Sequence, residues 1–358
     1  MNSKFLILNN SIHKKFLSKT ISNKLNQKFE KIFEAIKKDV KNSRKTLNVL
    51  DNNLHFDFKT KDLKKFKKFK EIAIIGMGGS ILGSEAIYNF FKNKIKKNIF
   101  FFNDINEDNI INFKKKNFSK ILFIIISKSG NTIETLSNSF SLNIIKKNSK
   151  NIIIISERKN NSLFKICKIM NLFYVEHKNF IGGRYSVLSE VGMVPAELMG
   201  LRETKFKIFN SLINKKNYIN YLTQNVASIY WNFNNGRKNC VILNYDENLD
   251  SFLKWYQQLA AESLGKKRKG IFPIISTMPK DNHSLMQLYL DGPKNNFFSF
   301  FDSREKNSFK LKKKFLTNEI NQLNKKNIDI ILKAQKKATQ NVFARQNLPF
   351  RSFEIKNK

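Results

Sequence analysis

The stretch SKSGNT, residues 127–132, is the first in this sequence whose residue types suggest chemistry. It follows an unbroken apolar run, 121–126, and precedes a helical pattern through Ile133, Thr135 and Leu136. Hydroxyls, a lysine and backbone N–H groups at the start of a helix favour an anion, most simply a phosphate. The same residues also suit a strand–turn–helix connection in which Ser and Thr only cap the helix. The loop alone leaves both interpretations open.

A glycine-rich turn, IGMGGSILG, occupies residues 75–83. Its first two glycines fit the start of a dinucleotide fingerprint, but Ile81 stands where the third glycine is required, which leaves nucleotide binding as a minor alternative. The other interpretation is that the backbone N–H groups around Gly79 and the hydroxyl of Ser80 face a smaller anion. Loops that follow neighbouring parallel strands lie side by side, so this anion can be the same one.

A second glycine pair precedes an arginine in GGRYS, residues 182–186. Two glycines allow the backbone to approach a ligand closely, and Arg184 adds a fixed positive charge beside it. The alternative is a tight turn with a surface arginine.

Two further stretches carry groups suited to proton transfer. Gln258 and Glu262 lie one helical turn apart in YQQLAAESLGK and so share a face. We expect the surrounding apolar residues to desolvate Glu262 partly, which suits a general base. His283 follows Asp281 and Asn282, which we expect to cap the helix that begins there. A histidine at a helix start beside a loop is well placed for proton transfer, although a surface glutamate and a structural histidine are the ordinary alternatives.

The elements that must position these residues alternate between strands and helices. Short apolar runs predict strands at 72–75, 99–102, 121–126, 152–155, 172–175, 241–244, 271–275, 297–301 and 350–355. Helical patterns occupy 84–91, 132–147, 208–222, 226–233, 249–264, 285–290 and 319–339. Such alternation predicts an α/β fold: two three-layer α/β/α sandwich domains with mainly parallel sheets. We place a helical arm at 1–55, the first domain at 56–200 and the second at 201–358.

Composition limits the possible partners and the compartment. Lys and Arg outnumber Asp and Glu by 66 to 28, which gives a formal charge of +38. The lysines are spread from end to end among many Asn, Ile and Phe, so we attribute them to drift toward AT-rich codons and expect no specific nucleic-acid partner. Cys167 and Cys240 lack metal-ligand spacing, and the four histidines form no metal motif. The N-terminal apolar run, 5–8, is too short for a signal peptide, and no stretch is long enough to span a membrane, so we expect a soluble cytoplasmic protein.

Five segments in order resemble the phosphoglucose isomerase family, whose members contain two sugar-isomerase domains. They are IGMGGSILG, SKSGNTIET, GGRYSVLSEVGM, YQQLAAESLGK and DNHSLMQLYLDG, within residues 75–292. The resemblance implies an aldose–ketose isomerase without metal or cofactor, which converts glucose 6-phosphate to fructose 6-phosphate through a cis-enediolate. One such motif is weak, but five in order are specific.

The resemblance also implies a role for each matched residue. The phosphate would be held by residues from the first two segments: Gly79, Ser80, Ser127, Lys128, Ser129 and Thr132. Gly183 and Arg184 would approach the reacting end of the sugar, with Arg184 stabilising the enediolate. Glu262 would move the proton between C1 and C2, with Gln258 positioning the substrate. His283 would assist ring opening from the partner subunit, which implies a homodimer.

One feature departs from the family. Its members continue past the last strand into a helix that carries a glutamine and a lysine of the active site. The sequence ends at Lys358, directly after FRSFEI, and Lys356 and Lys358 do not match that signature. We therefore expect an incomplete second domain, and the alternative function is a catalytically impaired module that binds sugar phosphate.

Overall fold

The computed structural model describes residues 19–304, 309–311, 320 and 323–356. The chain divides into two units. The five-stranded unit comprises residues 31–215 and 251–259, and the four-stranded unit comprises the described parts of 1–30, 216–250 and 260–358. The predicted boundaries at residues 55 and 200 stay a prediction. The apolar run at 5–8 and the terminal Lys358 lie outside the described residues.

The strands follow the predicted apolar runs closely. They are β1 Glu71–Ile75, β2 Asn98–Phe102, β3 Ile121–Ile126, β4 Ile152–Ser156, β5 Phe173–Glu176, β6 Asn239–Asn244, β7 Phe272–Thr277, β8 Asn296–Arg304 and β9 Phe350–Lys356. Strands β1 to β5 form one sheet and β6 to β9 the other, and all the described pairings are parallel. The predicted α/β fold with mainly parallel sheets is confirmed.

The helices connect these strands. They are α1 Lys19–Lys41, α2 Thr60–Leu63, α3 Leu82–Phe91, α4 Glu107–Lys114, α5 Ile133–Ser141, α6 Ser162–Ile169, α7 Glu190–Leu198, α8 Phe209–Ile213, α9 Lys216–Asn234, α10 Asp250–Leu264, α11 Met286–Asp291 and α12 Ile328–Arg345. Helix α5 is shorter than predicted because Asn143 adopts a left-handed conformation, φ 50°, just after it. Helix α12 begins later than predicted, after Lys325 at φ 57°. Residues 319, 321 and 322 of that prediction lie outside the described residues.

The five-stranded sheet is covered on both faces. Side chains alternate along each strand, so Ile74 of β1 joins one apolar cluster and Ile75 joins the other. Val191 of α7 packs in the first cluster, whereas Phe113 of α4 and Leu163 of α6 pack in the second. This unit therefore has the predicted three layers.

Helix α12 covers one face of the four-stranded sheet. The buried ring of Phe343 lies with its centroid 4.6 Å from that of Phe298 and 5.6 Å from that of Phe300, both on β8. Val241 and Leu243 of β6 belong to the same cluster. Aromatic rings thus pack at the centre of this apolar cluster.

Candidate active site

The order of the five-stranded sheet, β2-β1-β3-β4-β5, places a reversal between β1 and β3. The chain passes from β1 to β2 on one side and then returns to form β3 on the other side. Ligands of open parallel sheets bind at such a reversal, beyond the carboxyl ends of the strands. The turn Gly78–Ser80 follows β1, and the loop at residues 127–132, here called the hydroxyl loop, follows β3. Both predicted anion loops therefore flank the expected ligand position.

Three side-chain oxygens meet in the hydroxyl loop. Ser127 Oγ lies 2.8 Å from Thr132 Oγ1 and 3.4 Å from Ser129 Oγ, and the last two oxygens are 3.4 Å apart. Ser127 is buried, Thr132 is half-buried and Ser129 is exposed. The cluster thus extends from the end of the strand to the surface, and hydroxyls that can rotate are suited to donating to the oxygens of an anion.

The helix-cap interpretation of this loop is wrong for its key residue. Thr132 occupies the N-cap position of α5 but makes no side-chain cap hydrogen bond. Its hydroxyl belongs to the cluster instead. The loop bends at Gly130, where φ is 66°, and a Cβ there would lie 1.9 Å from Asn161 Oδ1, so only glycine fits. The N-terminal end of α5 is therefore left without a side-chain cap beside three hydroxyls, an arrangement that favours an anion.

The ammonium of Lys128, predicted to bind a phosphate, contacts protein groups instead. Its ammonium donates to the backbone carbonyls of Asn179, at 3.0 Å, and Ile181, at 2.8 Å. It also lies 3.5 Å from the carboxylate of Glu157. The ammonium of the predicted phosphate-binding lysine is therefore engaged with the segment that leads into GGRYS.

The turn Gly78–Ser80 packs backbone against backbone on GGRYS, residues 182–186, here called the arginine loop. A Cβ on Gly79 would lie only 2.3 Å from the carbonyl carbon and oxygen of Gly183, and 2.8 Å from the amide nitrogen of Arg184. Glycine is thus required at residue 79 because two chain segments touch there. Ser80, which ends the turn, is half-buried. The structure brings Gly79, Ser80, Gly183 and Arg184 together.

Sequence reasoning missed the residue that fastens this contact. The hydroxyl of Ser186 is fully buried and lies 3.0 Å from the carbonyl oxygen of Gly79 and 2.6 Å from that of Gly183. One hydroxyl proton is thus shared between carbonyls of both loops. The signal was its place in the GGRYS motif, where a small donor follows the two glycines.

Gln258 lies in the same unit as these loops. A Cβ on Gly78 would be 2.9 Å from Gln258 Nε2, so the amide group of the glutamine lies directly against this turn. The guanidinium carbon of Arg184 lies 4.8 Å from the centre of the Tyr185 ring, which supports the charged group by a cation–π contact. The amide of Gln258 therefore lies against the turn Gly78–Ser80, and the guanidinium of Arg184 is stabilised by the Tyr185 ring.

Glu262 is one helical turn after Gln258 on α10 and belongs to the four-stranded unit. Its side chain is exposed, so the expected desolvation by its own helix is wrong. The reason is local: Ala261 is exposed and Leu264 is 48% exposed, so neither shields the carboxylate.

His283 lies in the four-stranded unit after β7. It directly follows the short 3-10 turn Lys280–Asn282 and is exposed. The expectation that Asp281 or Asn282 caps the next helix is wrong, because the N-cap residue of α11 is Leu285 and makes no side-chain cap. The histidine therefore stands in a turn between strand and helix, not at a capped helix start.

The carboxylate of Asp281 fastens this turn to the end of β7. It accepts hydrogen bonds from Ser276 Oγ at 2.8 Å, the backbone N–H of Thr277 at 2.7 Å and Ser284 Oγ at 3.0 Å. Burial acts to raise the pKa of Asp281, but these hydrogen bonds and the charge of Lys280 outweigh it and lower the pKa below its ordinary value of 3.8. Asp281 thus fixes the turn that carries the predicted catalytic histidine.

Replacing Asp281 by Asn is expected to destabilise the chain by about 1–2 kcal/mol at neutral pH, because an amide is a weaker acceptor than a carboxylate. The folded-state pKa is depressed, so the carboxylate stabilises the fold above pH 3.8 and loses this effect as the pH falls through the folded pKa. The difference in unfolding free energy between wild type and Asp281→Asn should therefore shrink below that pH. Denaturant unfolding at several pH values measures it. Asp291→Asn, at an exposed residue of the same unit, is the control; an equal loss in both variants would contradict the assignment.

No helix among the described residues is both long and apolar enough to cross a membrane. Within the same residues, no group of three or more His, Cys, Asp or Glu side chains is arranged to hold a metal ion.

The fold and these loops define an α/β protein with a cluster of hydroxyls at the reversal of a parallel sheet. Residues 34–279, more than half of the chain, match the family described as phosphoglucose isomerase. The chain belongs to the phosphoglucose isomerase family. The predicted membership, and with it the enzyme class of aldose–ketose isomerases, is confirmed.

Similar proteins agree with this assignment. A glucose-6-phosphate isomerase of Methanocaldococcus jannaschii is 31% identical over 301 residues, which cover 80% of this chain and 74% of the relative. One of Campylobacter jejuni is 30% identical over 337 residues, 87% and 78% of the two chains. Among solved structures, a hypothetical protein of Thermus thermophilus has a TM-score of 0.82 at 19% identity, covering 98% of this chain and 88% of its own. A glucose-6-phosphate isomerase of Chlamydia trachomatis has a TM-score of 0.66 at 21% identity, covering 83% and 63%. These two structures support the fold.

Proposed function

We propose that this chain interconverts glucose 6-phosphate and fructose 6-phosphate. The observation that carries the proposal is the cluster of Ser127, Ser129 and Thr132 hydroxyls at the reversal of the sheet, in a chain of the phosphoglucose isomerase family. Three donors beside a helix N-terminus suit the phosphate of the substrate. Binding energy from this phosphate, remote from the reacting carbons, can be used to orient the sugar.

The chemical step is a proton transfer next to a carbonyl. In the aldose-to-ketose direction, the carboxylate of Glu262 removes the proton from C2, which gives the cis-enediolate. A proton passes from O2 to O1, and Glu262 returns its proton to C1, so that the carbonyl forms at C2. The negative charge that develops on oxygen requires a fixed positive group, and Arg184 supplies it. Gln258, whose amide lies against the turn after β1, positions the sugar chain.

Ring opening precedes this step. His283 is the group proposed to assist it, in a homodimer where the histidine of one subunit serves the site of its partner. Its position in a turn fastened by Asp281 gives it a defined place on the surface of the four-stranded unit.

The test is turnover by the purified chain, with glucose 6-phosphate formation from fructose 6-phosphate measured in a coupled assay. Absence of turnover, with sugar-phosphate binding detected by thermal stabilisation, would overturn the proposal in favour of a binding module without catalysis.

Replacing Thr132 by Val tests the phosphate site. The variant loses one charge-assisted hydrogen bond, so kcat/KM should fall about tenfold and the inhibition constant of inorganic phosphate should rise by a similar factor. Steady-state kinetics with phosphate as inhibitor measures both.

Thr135→Val is the matched control, since it makes the same chemical change one turn further along α5. The Thr135 hydroxyl is buried and has no hydrogen-bond partner among the described residues, so its removal should leave kinetics unchanged. An unchanged inhibition constant of phosphate in Thr132→Val would show that the Thr132 hydroxyl does not bind the phosphate.

A further inference from the structure

Two of the three donors of the Lys128 ammonium are occupied by backbone carbonyls of the five-stranded unit. A lysine ammonium has three N–H donors and no acceptor. Here the carbonyl oxygens of Asn179 and Ile181 lie at 3.0 and 2.8 Å, and Glu157 Oε1 lies at 3.5 Å. The ammonium is therefore held by two carbonyls of one segment and lies beside a carboxylate of the same unit.

The segment that Lys128 binds leads directly into the arginine loop. Between the two carbonyls that accept from Lys128, the carbonyl of Phe180 accepts from Thr46 Oγ1 at 2.6 Å. The side chain of Ile181 is fully buried against Val49 and neighbouring apolar residues. Three successive carbonyls of this segment are thus held by side chains.

Glu157 fixes Lys128 from the other side. Its backbone N–H donates to the carbonyl of Lys128 at 3.0 Å, and its carboxylate is buried between the ammonium groups of Lys128 and Lys159. The buried carboxylate is shared by two ammonium groups, and its attraction helps to hold the Lys128 side chain against this segment.

We propose that Lys128 is a positioning residue whose ammonium fixes the arginine loop relative to the hydroxyl loop. It is not the counter-charge of the phosphate. This inference rests on the proposed isomerase function. Lys128 lies between Ser127 and Ser129, and Ile181 lies three residues before Arg184, so the ammonium connects the group that holds the phosphate to the group that stabilises the enediolate. A shift of about 1 Å at a reacting group can cost up to about 10²-fold in rate, so a single connection of this kind matters.

The test is the kinetics of Lys128→Met, which keeps the apolar stem and removes the ammonium. We expect kcat to fall about tenfold, because Arg184 is less well placed, while the inhibition constant of inorganic phosphate changes less than about threefold. A large rise in that inhibition constant with unchanged kcat would overturn the proposal, since this is the result for a counter-charge. Unchanged kcat and unchanged inhibition would overturn it as well.

Two further variants separate charge from anchoring. Lys159→Met removes a positive charge from the same carboxylate but from a side chain 64% exposed, so both constants should stay at wild-type values. Thr46→Val releases the middle carbonyl without changing charge, so it should lower kcat and leave phosphate inhibition unchanged. If Lys128→Met does not fold, Thr46→Val decides: an unchanged kcat there overturns the proposal.

Hydrogen exchange provides a measurement that does not depend on turnover. Lys128→Met should speed amide exchange in the peptide that covers residues 179–186, and Lys159→Met should not. If the wild type shows no isomerase activity, the proposed function fails, whereas the anchoring is still decided by this exchange. Equal exchange in both variants would contradict the anchoring itself.

Discussion

Replacing Glu262 by Gln is expected to lower kcat for isomerisation by about 10³-fold, because general acid–base catalysis contributes about 10²–10⁴-fold and no amide can accept the C2 proton. Glutamine keeps the size of the side chain, so substrate binding should change little. Two measurements follow the step: the coupled assay, and the exchange of the C2 hydrogen of the substrate with deuterated solvent by NMR. Both should be lost together if Glu262 is the base.

The matched control is Glu247→Gln. Glu247 is also exposed and lies just before α10, the helix that carries Glu262, so the control makes the same chemical change in the same unit. It should keep the wild-type kcat. Retention of more than a tenth of the activity in Glu262→Gln, or an equal loss in both variants, would show that another group moves the proton.

The fold follows from the sequence because the strands are buried on both faces. All six side chains of β3 are buried, and such a strand must be a continuous apolar run, which periodicity detects directly. Helix ends were harder to predict, because apolar spacing continues where a single left-handed residue stops the helix. Asn143 after α5 and Lys325 before α12 are such residues.

Motifs predicted which residues gather but not which way a side chain points. Ser127, Ser129 and Thr132 form the cluster expected of them, since residues so close in sequence have few alternatives. Lys128 lies among them, yet its long side chain reaches residues 179 and 181. Its acceptors are more than fifty positions away, so the loop's own sequence contains no sign of them.

Several lysines of this chain donate hydrogen bonds to backbone carbonyls. Lys178 donates to the carbonyl of His55 at 2.5 Å and to the buried carboxylate of Glu190 at 2.7 Å, and Lys207 donates to the carbonyl of Leu54 at 2.9 Å. Whatever the origin of the lysine excess, Lys128, Lys178 and Lys207 therefore hold backbone segments in place. A lysine beside a predicted anion site is weak support for ligand contact until its acceptors are known.

Replacing Gly79 by Ala is expected to lower kcat/KM by about 10²-fold, because a misplacement of about 1 Å can cost that much. Ordinary contacts to a Cβ lie at 3.4–4 Å, whereas this Cβ would meet the backbone of Gly183 at 2.3 Å. The turn after β1 and the arginine loop must separate. This separation also disturbs the hydrogen bonds that the Ser186 hydroxyl donates to the carbonyls of Gly79 and Gly183. Overpacking of this kind should reduce the free energy of unfolding by about 1–3 kcal/mol. Steady-state kinetics and denaturant unfolding measure the two effects.

Gly183→Ala is the matched control for stability, because it adds the same methyl group on the opposite side of the same contact. A Cβ on Gly183 meets nothing within 4 Å. Alanine there restricts the unfolded chain, so the free energy of unfolding should stay equal or rise by up to about 1 kcal/mol. The contrast between the two variants is the decisive quantity, since both change one glycine in a predicted binding loop. Equal unfolding free energies for Gly79→Ala and Gly183→Ala would mean that the two loops do not meet at Gly79, and that Arg184 is placed by other contacts.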